Sequence, residues 1–423
     1  MTRQSSTLAP LTALLVAAAC LPDSAAVEGS ASRAPVRTGA QVLIEDSLHL
    51  IDGRRVGLIT NHTGLVGSVG AEIESTADLL HRTPGVELVA LFAPEHGIRG
   101  AAEAGVRIDD TVDEATGVPV HSLYGGTREP SSATLRGVEV LLFDIQDIGA
   151  RYYTYVWTMS LAMEAAGGAG IPFVVLDRPN PIGGEVQGNV LDPDFASFVG
   201  RFPVPMRHGM TPGELARLLV GEFGVEVDLT VVPLDGWTRD LSWPGTQLPW
   251  VAPSPNMPSI VSALHYPGTC LFEGTPLSVG RGTPLPFQQI GAPWLDTDAL
   301  LEALGAYDLP DLRFESVTFT PRTPGDGKFD GEVVKGVRFV ATGPAYDPTR
   351  AALAVLIEAR RQAGDRWAWR SDHFDRLAGT DRLRSGIDRG ESLAALTAGW
   401  PGEIAAFEAL RMPYLLYGDG GGR

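Results

Sequence analysis

An α/β architecture, with a helix-layered parallel sheet joined to a smaller α+β domain, is predicted by three features of the sequence. Continuous apolar runs at 56–60, 86–93, 138–145 and 172–177 read as parallel strands buried on both faces. Helical segments at about 70–82 and 155–166 lie between them, giving repeated βαβ units. After Trp237 the composition shifts to Pro, Gly and aromatics as far as about Trp294, marking a loop-rich region of the kind that walls an active site.

Taken in chain order, residues 8–19 are apolar, follow Arg3 and are too few to span a bilayer, so they read as a secretory signal. The run Leu15-Val16-Ala17-Ala18-Ala19-Cys20 resembles a lipobox with Cys20 as the lipidated residue; cleavage near Ala25-Ala26 is the alternative. Both predict export to the periplasm or cell envelope. Signal and linker occupy 1–38, the α/β catalytic domain 39–236 and the loop-rich α+β domain 237–423. One helix start is explicit: Thr211 as N-cap, Pro212 in the first turn, Glu214 closing a capping box, and Leu215, Leu218, Leu219 and Phe223 on one face. A strand at 227–234, helices at 298–306, 348–363 and 392–411, and strands at 312–320 and 333–341 complete the expected elements.

Composition removes several function classes. With 423 residues, 44% of them hydrophobic, the chain can bury one large or two ordinary cores. A formal net charge of −18 argues against nucleic acid as a partner. The lysines, Lys328 and Lys335, stand in no P-loop, and Cys270 alone beside Cys20 allows no disulfide framework in the mature chain. The first strand runs into Thr60-Asn61-His62-Thr63-Gly64 in place of a Gly-x-Gly-x-x-Gly turn, so no dinucleotide cofactor is expected.

Chemistry-bearing residues gather instead where predicted strands end. The second strand leads into Pro94-Glu95-His96-Gly97-Ile98-Arg99, which makes Glu95 the first catalytic candidate; pairing with Arg99 is the structural alternative. The third ends Asp144-Ile145-Gln146-Asp147-Ile148-Gly149-Ala150-Arg151-Tyr152-Tyr153, a mixture of carboxylates, amide, guanidinium and aromatic faces that suits a sugar, although capping and core packing explain it too. The fourth ends Asp177-Arg178-Pro179-Asn180-Pro181. Farther on, Glu273 and Arg281 add a carboxylate and a guanidinium, or an ion pair. Nucleophile elbows, His-Glu-x-x-His and Cys-x-x-Cys are missing, and His62, His96, His121 and His208 match no metal-ligand spacing. Carboxylate-rich and poor in cysteine, this inventory fits glycoside hydrolysis without cofactor or metal.

The segments Gly57-Leu58-Ile59-Thr60-Asn61-His62-Thr63-Gly64, Phe92-Ala93-Pro94-Glu95-His96-Gly97, Asp144 through Arg151, Asp177 through Pro181, Arg207-His208-Gly209-Met210-Thr211 and Tyr266-Pro267-Gly268-Thr269 together resemble the YbbC/NamZ family of exo-β-N-acetylmuramidases, from about Gln41 to Tyr417. The resemblance implies a Rossmann-like domain without a nucleotide, an auxiliary domain and a cleft between them. It further implies removal of N-acetylmuramic acid from peptidoglycan-derived MurNAc-GlcNAc fragments, with Glu95 catalytic. Where relatives read Val-Glu-Gly-Pro-Val-Leu, this chain has Val186-Gln187-Gly188-Asn189-Val190-Leu191. On this reading Glu95 is the general acid, and Asp144, Gln146 and Arg151 position the sugar or a water. Asn61, His62, His96 and Tyr153 complete the subsite, and Glu273 and Arg281 close it. Arg151 or Arg281 pairs with the lactyl carboxylate. The protein is expected to touch the membrane only through the lipid on Cys20; the rivals are a non-catalytic wall-binding lipoprotein and a metal-assisted hydrolase.

Overall fold

The computed structural model describes residues 33–98 and 109–420. The expected signal segment, Cys20 and Arg99 lie outside the described residues. Strands β1 (Arg55–Thr60), β2 (Glu87–Ala93), β3 (Thr111–Val112), β4 (Pro119–Ser122), β5 (Val140–Asp144), β6 (Phe173–Leu176) and β7 (Leu229–Val232) form one sheet in the order β7-β6-β5-β1-β2-β4-β3. All neighbours run parallel except β3 and β4. Their side chains alternate between two cores. Val56, Leu58, Leu91, Val140, Leu142 and Val174 pack under the helices Gly39–Asp46 and Thr76–Arg82. Ile59, Phe92, Leu141, Phe143 and Val175 pack under Tyr155–Gly168 and Pro212–Glu222. Burial on both faces is why these strands read as unbroken apolar runs. The layered, Rossmann-like sheet predicted from them is the one observed.

The second core continues into the C-terminal half, where β8 (Gln289–Ala292), β9 (Leu312–Phe319) and β10 (Val334–Ala341) form an antiparallel sheet in the order β8-β10-β9. Against it lies the helix Thr297–Leu304, which packs in turn on Pro348–Ala363, started by Asp347, whose side chain accepts from the Thr349 and Arg350 amides. From Pro35 onward the chain is one compact unit.

Local chemistry overrides the expected elements in four places. The helix expected at 70–82 begins only at Thr76, capped by Ser75, because Glu74–Ser75 pairs with Leu65–Val66. The span read as loop after Trp237 contains the helix Ile260–Thr269, which keeps Pro267 in its last turn at the cost of one bond to the Ala263 carbonyl. The helix expected at 392–411 is two, Leu393–Leu396 and Trp400–Arg411, restarted at Gly399 with Pro401 in the first turn. Residues 35–38, read as linker, are built in: Val36 is buried and its amide donates to the Thr246 carbonyl at 3.0 Å.

Candidate active site

The chain winds outward from β1 on both sides, so the crevice between the carboxyl ends of β1 and β5 is where such sheets usually hold a ligand. Here that crevice is reduced to a pocket of about 20 Å³ beside Thr63, Gln146 and Arg178. Asp144 is fully buried; its carboxylate accepts from Arg178 Nε at 2.5 Å and Nη2 at 3.0 Å, and from Thr76 Oγ1 at 2.6 Å. Thr60 Oγ1 donates to the Asp144 carbonyl at 2.9 Å. Gln146 spends its amide on the carbonyls of Asp147 and Pro179, at 2.7 and 2.8 Å. Asn61 Oδ1 accepts from the Thr63 amide and hydroxyl, at 2.9 and 2.6 Å. Most of these polar groups are taken up by protein partners, while Asn61 Nδ2 and Gln146 Oε1 are buried without one among the described residues.

A cavity of about 330 Å³ opens beyond the carboxyl end of β2. There the chain turns sharply from Pro94 to Gly97: the Gly97 amide donates to the Pro94 carbonyl at 3.0 Å, and His96 takes φ of 71°. This turn presents Glu95, buried yet lining the cavity. Thr154 Oγ1 donates to Glu95 Oε2 at 2.7 Å, and the Tyr124 hydroxyl faces the same carboxylate. Burial first, then the charge of Glu95, raises the pKa of Tyr124, which remains a neutral hydroxyl donor. Tyr152, Tyr153, Tyr155 and Tyr266 form the adjoining wall, the rings of Tyr153 set edge-on to those of Tyr155 and Tyr266. Such faces cover the C–H side of a sugar ring while hydroxyls and charged groups take its oxygens.

Across the cavity stand Glu273, Arg281, His373 and Arg376. Arg281 donates through Nε and Nη2 to Glu273 Oε1, at 2.8 and 2.5 Å. Burial works against the charge of Glu273, but Arg281, helped by His373 and Lys328, outweighs it and holds the carboxyl below its ordinary range. Glu273 and Glu95 are the carboxylates among the lining residues. Among the described residues no group of three or more His, Cys, Asp or Glu converges as metal ligands.

Of the residues singled out in the sequence, Glu95, His96, Tyr153, Glu273 and Arg281 come together here. Asn61, His62, Asp144, Gln146 and Arg151 do not line the cavity. His62 Nε2 meets the Ala252 carbonyl at 2.7 Å, beside Asn61 in a smaller pocket, and burial lowers its pKa. Arg151 is wholly buried and donates to four backbone carbonyls: Asn189 and Val204, each at 2.9 Å, Leu377 at 3.0 Å and Ala378 at 2.8 Å. It is a structural clamp with no N–H fork left for a substrate carboxylate, and Arg281 is committed to Glu273. Sequence reasoning passed over Tyr124, Arg128, Thr154, Phe198, His373 and Arg376, all on the cavity. The glycine-flanked Tyr124-Gly125-Gly126-Thr127-Arg128 carried a signal as a polar turn just after β4, and Arg376 lay in the family-like tail Phe374-Asp375-Arg376-Leu377-Ala378-Gly379-Thr380.

Two family models match the chain: Exo-beta-N-acetylmuramidase NamZ, N-terminal, over 56–261, and the C-terminal model of the same name over 264–417. The Peptidoglycan beta-N-acetylmuramidase NamZ of Bacillus subtilis (strain 168) is 42% identical over 406 residues, covering 95% of this chain and 96% of that protein. Two crystal structures of DUF1343 family proteins from Bacteroides fragilis share the fold. One has a TM-score of 0.83 at 35% identity, covering 90% of this chain and 99% of its own. The other has 0.72 at 34%, covering 92% and 100%.

Proposed function

The chain belongs to the NamZ family of exo-β-N-acetylmuramidases, and on that premise we propose that it removes N-acetylmuramic acid from the non-reducing ends of peptidoglycan-derived MurNAc-GlcNAc fragments. One observation carries the reading: Glu95, held by the Thr154 hydroxyl, faces a sugar-sized aromatic cavity whose other lining carboxylate, Glu273, is kept ionised by Arg281. Two carboxylates in unlike surroundings are what glycoside hydrolysis requires. Glu95 gives its proton to the glycosidic oxygen as the bond from C1 breaks, so the leaving sugar departs as a neutral alcohol. Glu273, anionic, supports the positive charge that builds on C1; water then adds there, and the proton it releases restores Glu95 to its acid form. The tyrosine wall holds the apolar face of the ring, and His96 and Tyr153 lie within the same cavity to meet its hydroxyls.

The test is release of a chromogenic leaving group from a β-N-acetylmuraminide, with the matching N-acetylglucosaminide as control. Glu95→Gln slows the muraminide reaction by about 100-fold or more, as loss of a general acid does, with its melting temperature kept. Undiminished turnover by Glu95→Gln removes Glu95 from the chemistry. We also infer from residues 8–20 that the protein is exported and anchored through Cys20. Labelled palmitate incorporated by wild type and lost in Cys20→Ser is the expected result.

A further inference from the structure

N-acetylmuramic acid differs from N-acetylglucosamine by one group, a lactyl ether on O3 that ends in a carboxylate. We infer that Arg128 is the residue that reads this group, an assignment that rests on the substrate proposed above. Arg151 is spent on backbone carbonyls and Arg281 on Glu273. Two other guanidinium groups line the cavity, Arg128 and Arg376, and neither has a hydrogen bond or ion pair among the described residues.

Position separates these two. Arg128 belongs to the Glu95 flank: its charge acts on the Tyr124 hydroxyl, which faces Glu95. Arg376 belongs to the opposite flank, where its charge acts on His373 near Glu273. O3 is two ring carbons from the anomeric centre, so with Glu95 at the glycosidic oxygen the lactyl arm lies within one sugar's width of it. Geometry also prepares Arg128. Its guanidinium lies 4.1 Å above the centre of the Phe198 ring, and Phe198 itself lines the cavity. This contact holds the guanidinium over the ring without using its N–H groups, which remain for a planar carboxylate. The loop that carries it, Tyr124 to Arg128, brings the donor to Glu95 and the cation for the carboxylate from one short segment. An analogue without the carboxylate leaves this cation unpaired, which is how the site discriminates.

The experiment uses the chromogenic β-N-acetylmuraminide and the same compound with its lactyl carboxylate converted to the carboxamide. Wild type, Arg128→Gln and Arg376→Gln are compared by kcat/KM, with melting temperatures checked. Wild type favours the acid by about tenfold or more. In Arg128→Gln the two substrates converge, through loss on the acid; in Arg376→Gln the wild-type ratio persists. An unchanged ratio in Arg128→Gln, or its collapse in Arg376→Gln, overturns the assignment. If wild type turns over neither compound, the hydrolase reading fails, and calorimetric binding of methyl β-N-acetylmuraminide and its carboxamide then reads the same ratio. Tighter binding of the acid that Arg128→Gln abolishes still upholds Arg128. Binding of neither by folded protein overturns both.

Discussion

Glu95 owes its position to the residue after it. His96 occupies the third place of the turn from Pro94 to Gly97 with φ of 71°, where L side chains cost about 1–2 kcal/mol and glycine is usual. Strain of this kind is kept where the surrounding structure over-determines it, which is common at working sites. The Pro-Glu-His-Gly run was legible as a site because it follows the carboxyl end of an apolar strand; the strained turn and the burial of Glu95 belong to the fold. The role of Asp144 was not legible. At a strand end the sequence shows which groups are close, and cannot show that Asp144 turns toward Arg178 and Thr76 instead of solvent. Burial acts on single histidines as well. It lowers His265 to about 4, and the ring Nδ1 meets the Tyr346 hydroxyl at 2.7 Å. Unfolded, this ring takes a proton near pH 6.5; folded, only near 4. The stability it contributes is whole above the first value and is lost as pH falls through the interval, at about 1.4 kcal/mol per pH unit. His265→Gln removes that slope, so the gap in unfolding free energy between wild type and variant, read from urea melts, narrows from pH 7 to pH 4.5. A gap constant with pH means that His265 takes its proton as readily in the fold as in the unfolded chain.

The helix Ile260–Thr269 shows what a recognisable motif can mean at the scale of an element. Its Tyr266-Pro267-Gly268-Thr269 was legible as a signature and was read as loop, because Pro and Gly normally break helices. Each residue has its own task. Tyr266 forms cavity wall, and the Pro267 carbonyl accepts from the Tyr152 hydroxyl. Thr269 Oγ1 donates to the carbonyls of His265 and Phe287, at 3.0 and 2.9 Å. Gly268 is there for closeness: a Cβ would fall 1.9 Å from the Pro348 carbonyl oxygen, at the start of the helix Pro348–Ala363. Helix pairing of this tightness is invisible to periodicity, whereas the apolar strands were legible because both of their faces are buried. Gly268→Ala must push the two helices apart and is expected to cost about 2 kcal/mol or more, the upper part of the range for overpacking. Chemical denaturation measures it. A loss below about 0.5 kcal/mol means the helices separate freely and the packing argument is wrong.

For the molecule as a whole, the motif residues that drew attention hold the halves together, and the cavity sits on what they hold. Arg151 is the clearest case. Its guanidinium joins the ribbon of Gln187–Val190 and Pro205–Arg207, through the carbonyls of Asn189 and nearby Val204, to the end of the helix Ser371–Ala378. That helix carries His373, Arg376 and Leu377 into the cavity. Arg411 does similar work, donating to the carbonyls of His208 and Gly209 at 2.9 Å each. Which distant segments meet is a property of the tertiary fold, and no spacing within one motif encodes it; this is why Arg151 read as a sugar ligand. The two roles predict different outcomes for Arg151→Lys. An ammonium cannot reproduce a planar fork to four carbonyls, and the acceptors left without donors inside the core lower stability by about 2–4 kcal/mol. Turnover of the muraminide per folded molecule, measured well below the melting transition, then stays within a few fold of wild type, with the loss growing only as the temperature nears the lowered midpoint. A Lys variant that melts like wild type and yet has lost its turnover would return Arg151 to the substrate and displace Arg128 from the lactyl carboxylate.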